Sequence, residues 1–167
     1  MFSALLAVCL LGAHSDQLPA ATWIRVTNVT GEIGGAGGTV IVCRPFPPDG
    51  VTLVYTHSMF GGDVRERFTP SGAMLRRVEM TTANAAAADY YAFTASVSRV
   101  GDRFLVEVPP AEYAEIVVRV DDVGRHRLVV GDETIDLLEA SGQAHRIRLD
   151  VVTLTWASRL WGGQQAC

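Results

Sequence analysis

The chain has 167 residues, with 18 acidic and 14 basic side chains for a net charge of −4. Hydrophobic residues make up 49% and charged residues 19%, so neither a disordered chain nor a membrane protein is indicated. The acidic surplus and the lack of a basic stripe argue against a nucleic-acid partner. All the basic residues are arginine, which excludes Schiff-base lysines, phosphate-loop lysines and Ser-x-x-Lys nucleophile pairs.

The N-terminal stretch MFSALLAVCLLGAHSDQ carries an apolar run from Phe2 to Ala13. It is too short to span a bilayer and has the length of a signal-peptide core. Ala13 and Ser15 supply small residues before a cut at Asp16, although no positive charge precedes the run. Residues 1–15 therefore read as a leader, and the mature chain as extracytoplasmic with no membrane span. A single β domain is expected over 22–156, with a C-terminal tail over 157–167.

From residue 22 the chain reads as short β-runs. TWIRVTN, TVIVCRPF, VTLVYTHS, VRERFT, MLRRVEMTT, DRFLVEV, EIVVRV, HRLVVG, ETIDLL and HRIRLDVVTLTW follow one another, with Gly, Pro and Asp between them. This predicts an all-β fold, an antiparallel sandwich or open barrel of about eight to ten short strands. Gly131-Asp132 and Gly61-Gly62 each fit a two-residue hairpin loop. ANAAAADYYAF, residues 83–93, predicts one helical turn or a loop. GEIGGAGGTV is a flexible connection; Val40 stands where the last glycine of a dinucleotide fingerprint would be, so no cofactor is implied. Cys9 would leave with the leader. Cys43 reads as a small buried residue and Cys167 as part of a frayed tail, with a disulfide between them as the alternative.

The chemistry-bearing residues concentrate in VYTHSMFGGDVRERF, Val54 to Phe68. With Gly61-Gly62 as the loop, His57 falls opposite Glu66 and Tyr55 opposite Phe68, all on one face. Ser58 then pairs with Arg65, and Thr56 with Arg67, on the other face. Adjacent strand residues point apart, so a Ser58–His57 nucleophile pair is disfavoured, and no Gly-x-Ser-x-Gly elbow occurs. A metal site on His57 and Glu66 would need recruits, and only His126, His145, Asp121 and Asp122 offer themselves. His126 and His145 adjoin arginines and read as surface or strand polar residues. Asp121-Asp122 reads as a turn, and Asn28-Val29-Thr30 as a strand end.

LVYTHSMFGGDVRERF resembles a prokaryotic family, domain of unknown function 1850. The family's pattern is a strand ending in His-Ser, a short turn, then a glutamate in an aromatic-containing strand. His57, Ser58, Glu66 and Phe68 match it, as do the flanking RPFPPDG turn and LRRVEM strand. The AAAADYY segment resembles some members; others carry a glycine- and proline-containing stretch there, which this chain lacks. The resemblance implies a small secreted or membrane-tethered β domain, of a kind often encoded beside TRAP-type transporters of the TAXI receptor subclass. It brings no catalytic activity. Together with the leader and the β pattern it points to a non-enzymatic accessory module of such a system, contacting a transporter membrane subunit, a solute receptor or an anionic solute through His57, Ser58, Glu66 and Arg67. A small-ligand or metal-binding domain, and a purely structural hairpin, remain as alternatives.

Overall fold

The computed structural model describes residues 21–31, 37–92, 96–142, 146–154 and 167. Residues 1–15, read above as a leader, and His145, Trp156 and Trp161 lie outside them. Among the described residues the chain is an all-β sandwich of two antiparallel sheets. Its strands are β1 (Ala21–Asn28), β2 (Thr39–Pro45), β3 (Val51–Thr56), β4 (Asp63–Ser71), β5 (Met74–Thr82), β6 (Val97–Val100), β7 (Arg103–Val106), β8 (Ala111–Tyr113), β9 (Glu115–Arg119), β10 (Arg127–Val130), β11 (Glu133–Asp136) and β12 (Arg146–Leu154). The helices are α1 (Ala85–Ala92) and α2 (Leu137–Ser141). One sheet is ordered β2-β1-β12-β9; the other runs β11-β10-β3-β4-β5-β7-β6, with β8 also on β5. The short strands β6 and β8 exceed the ten runs legible in the sequence.

Strict alternation builds the sandwich. In β12, Ile147, Leu149 and Val151 are buried while Arg148 and Asp150 face away. They meet Ile24 and Val26 of the same sheet, and Leu53, Phe68 and Leu128 of the other, in one core. A smaller cluster of Val64, Met80, Ala88 and Val106 lies under α1. The four-stranded sheet thus covers one part of the larger sheet, and α1 another.

Three expectations change. ETIDLL is not one strand: Asp136 caps α2, accepting from Leu138 N at 2.9 Å and Glu139 N at 3.0 Å, and Gly142 closes it in the left-handed region at φ 63°. The alanine run makes an eight-residue helix, because Asn84 caps it by accepting from Ala86 N at 2.8 Å. Cys167 is not in a free tail: it forms a disulfide with Cys43 on β2, with Cα atoms 6.2 Å apart. Arg25, paired with Cys43 on the outer face, donates to the Cys167 carbonyl at 3.0 Å and ion-pairs with Asp150. The Gly131-Asp132 loop stands as read, with Val130 opposite Glu133.

Candidate functional site

The β3–β4 connection is longer than Gly61-Gly62. Thr56 pairs with Asp63, so the loop runs from His57 to Gly62. Glu66 lies opposite Leu53 rather than His57, a slip of four residues, and Tyr55 lies opposite Val64. The cause is His57 itself. Its Nδ1 accepts from Met59 N and Phe60 N, both at 3.2 Å, which stabilises a compact turn. The backbone closes around it: His57 N donates to Gly62 O at 3.0 Å, and Gly61 N to His57 O at 2.9 Å. Gly61 and Gly62 take φ of 65° and 76°, conformations that other residues resist. Asn84 Nδ2 donates to Phe60 O at 2.7 Å, so the helix cap also holds the loop.

A slip by an even number preserves the faces, because side chains alternate with period two. Tyr55, Glu66 and Phe68 therefore still share the inner face, as the sequence implied. Ser58 is exposed, and no hydrogen bond joins it to His57 among the described residues. The expected Ser58–Arg65 and Thr56–Arg67 pairs give way to Val54–Arg65 and Thr52–Arg67. Arg67 sits on the outer face, bonded to Glu79 at 3.3 Å and the Asp49 carbonyl at 3.4 Å. The four expected contact residues thus separate: His57 and Ser58 at the loop, Glu66 inside and Arg67 outside.

His57 is only 6% exposed. Three rings surround it: Phe60 at 5.0 Å, and Tyr90 and Tyr91 edge-on at 5.2 and 5.4 Å. Around this post stand exposed apolar side chains: Met59 at 71%, Val123 at 59%, and also Phe60 and Tyr90. Met59, Tyr90 and Val123 line a cleft of about 400 Å³ beside His57. The patch sits on the pinned loop, the helix and the turn before β10.

Behind it runs a polar chain that the sequence did not reveal. Tyr55 OH donates to Glu66 Oε1 at 2.9 Å, and Arg77 Nη1 donates to Glu66 Oε2 at 3.1 Å. Tyr91 OH lies 3.2 Å from Tyr55 OH. Since the Tyr55 proton goes to the carboxylate, Tyr91 donates to Tyr55. Burial first, then the Glu66 charge, pushes the Tyr55 phenol above its ordinary range. Burial raises Tyr91 likewise, so both stay protonated donors. Arg77 points inward because of a bulge: Arg67 opposes Glu79 but Phe68 opposes Arg77, so Val78 is the extra residue. Without it, Arg77 and Met80 could not both face in.

His126 stacks on Tyr55, ring centroids 5.5 Å apart and planes at 22°. It is not a surface residue, although arginines flank it. Arg125, at φ 45°, turns the chain, and Gly124 leaves room: a Cβ there would come within 2.4 Å of the imidazole. Asp121 shapes the same turn, accepting from Gly124 N at 2.7 Å, as the turn reading of Asp121-Asp122 held. Tyr55 and His126 line both the cleft beside His57 and a second cavity of about 550 Å³ between β9 and the inner face. No three metal-ligating side chains converge among the described residues.

These residues all fall within one matched segment. Residues 51–137 match the family described as a domain of unknown function, DUF1850. The chain belongs to the DUF1850 family. The DUF1850 segment starts with β3 and ends at the first residue of α2, so it holds the loop, the polar chain and His126. It omits β1, β2 and β12, which supply most of the covering sheet. No curated protein and no solved structure matches the chain.

His126 gives the DUF1850 core a pH dependence. Burial pushes its imidazole below the ordinary value of 6.5, against an opposing pull from Asp121. Above pH 6.5 both folded and unfolded chains carry it neutral, and its contribution is complete. As pH falls below 6.5 the unfolded chain takes the proton first, and stability is lost. Melting curves at descending pH should show this loss begin near neutrality in the wild type. His126→Phe should remove that part of the decline; an identical decline in both would contradict the burial.

Proposed function

We propose that this chain is a non-enzymatic, extracytoplasmic accessory module of a TRAP-type uptake system of the TAXI subclass. It docks a subunit of that system, its solute receptor or its membrane subunit, through the loop patch of Met59, Phe60, Tyr90 and Val123. The observation that carries this reading is the use of His57. Its Nδ1 is spent on the Met59 and Phe60 backbone, and its ring is enclosed by aromatics. That makes it a post under a rigid, exposed apolar tip, and it leaves no free base beside Ser58. Pre-ordered apolar side chains of this kind suit protein docking, because little entropy is lost on binding.

The disulfide between Cys43 and Cys167 supports an oxidising compartment. The transporter partner rests on what membership of the family implies. Pull-down with the immobilised chain, using the receptor and membrane subunits of a TAXI-type system from the same organism, tests the proposal. Enrichment over an unrelated secreted β domain is expected; equal recovery on both would overturn it.

A further inference from the structure

The cavity between β9 and the inner face of the larger sheet is built differently from the loop patch. Apolar side chains stand on both walls, Leu53 and Phe68 on one side and Ile116 and Val118 on the other, with Glu115, Arg119 and His126 also bordering it. Its volume of about 550 Å³ suits a small organic molecule. β9 is the outermost strand of its sheet, so the cavity lies at the sheet's edge and not under its centre.

A charged pair faces this space: Glu66 by strand alternation and Arg77 by the bulge at Val78, with side chains 15% and 18% exposed. An inward ion pair costs desolvation and needs its remaining hydrogen bonds met. Glu66 is satisfied, since each oxygen accepts one bond, from Tyr55 and from Arg77. Arg77 is not. Its one hydrogen bond among the described residues is from Nη1 to Glu66, and its buried Nε has no partner. A guanidinium carries five N–H donors in a planar fork that matches a carboxylate. Of the charges at the rim, Glu115 lies 3.8 Å from Arg148 and Arg119 lies 3.8 Å from Asp121.

We infer that this cavity binds a small monocarboxylate with an apolar body, its carboxylate held by Arg77 and its body against Ile116, Val118, Leu53 and Phe68. The Tyr55–Glu66 bond fixes Arg77 from behind. Tyr55 and His126 border both this cavity and the cleft beside His57, but Met59, Phe60, Tyr90 and Val123 do not line the cavity, so the inference does not rest on the proposed partner.

The test is ligand-observed NMR and thermal shift on the full-length chain with hexanoate and benzoate, and with hexanol and hexylamine as controls. Saturable binding of a carboxylate, at least about tenfold tighter than hexanol, is expected. The Glu66→Gln/Arg77→Gln double variant removes the guanidinium without stranding a charge and should lose the carboxylate preference. Ile116→Trp fills the cavity from the edge strand and should lose binding with the charges intact. Met59→Asp, on the loop patch, should bind as the wild type does. Failure of both carboxylates to saturate, equal binding of hexanol, or unchanged binding in the folded double variant would overturn the inference.

Discussion

Glu66→Ala is expected to lower the unfolding free energy by about 3 kcal/mol, the low end for breaking a buried ion pair, because this one keeps some solvent contact. The change removes the acceptor of both Tyr55 OH and Arg77 Nη1. It leaves a guanidinium with 18% side-chain exposure without its ion-pair partner. The loss comes from the stranded cation more than from the missing attraction. Glu66→Leu combined with Arg77→Met should therefore recover most of it, since both charges then disappear. Urea denaturation with unchanged slope reads the difference. A double variant no more stable than Glu66→Ala would mean that the pair itself, not the uncompensated charge, sets the stability.

Cys43→Ser is the second large effect. The disulfide joins residues 124 apart, and closing so long a loop removes much of the unfolded chain's freedom. A loss of about 2–5 kcal/mol is expected in the oxidised protein. It also frees the Cys167 end, whose carbonyl accepts from Arg25 on the outer face. Reducing agent should bring the wild type down to the variant and leave the variant unmoved. Equal denaturation midpoints for oxidised wild type and Cys43→Ser would show that the covalent link contributes nothing.

The fold class was legible because alternation and turn residues agree along the chain, and Ile147, Leu149 and Val151 are buried as their spacing requires. What was not legible depends on side chains bonding to backbone. Asn84 and Asp136 each turned an ambiguous stretch into a capped helix. Both lie where the helix-start rule would place them, so the signal was present. The hairpin register failed for a related reason. Two glycines suggest a two-residue loop, but His57 bonds two backbone N–H groups and makes a longer one stable.

The shared face survived because the slip was even, whereas the proposed His57–Glu66 pair did not. Arg77 and His126 were beyond reach for a different reason. A bulge at Val78 and a non-glycine left-handed turn at Arg125 aim them inward, and neither leaves a pattern in one sequence. The paired Tyr90 and Tyr91 that follow the alanine run were a visible hint of the enclosure around His57.

The proposed docking surface is the loop, with His57 as its support. The most direct measurement is the affinity of the captured transporter subunit for the wild type and for a Met59→Asp/Val123→Asp variant, by biolayer interferometry, alongside the melting temperature of each. Both side chains are highly exposed, so the variant should melt as the wild type does. The account predicts at least about a 30-fold loss of affinity, the scale of an interface hot spot. Affinity within about twofold of the wild type, at equal melting temperature, would contradict it.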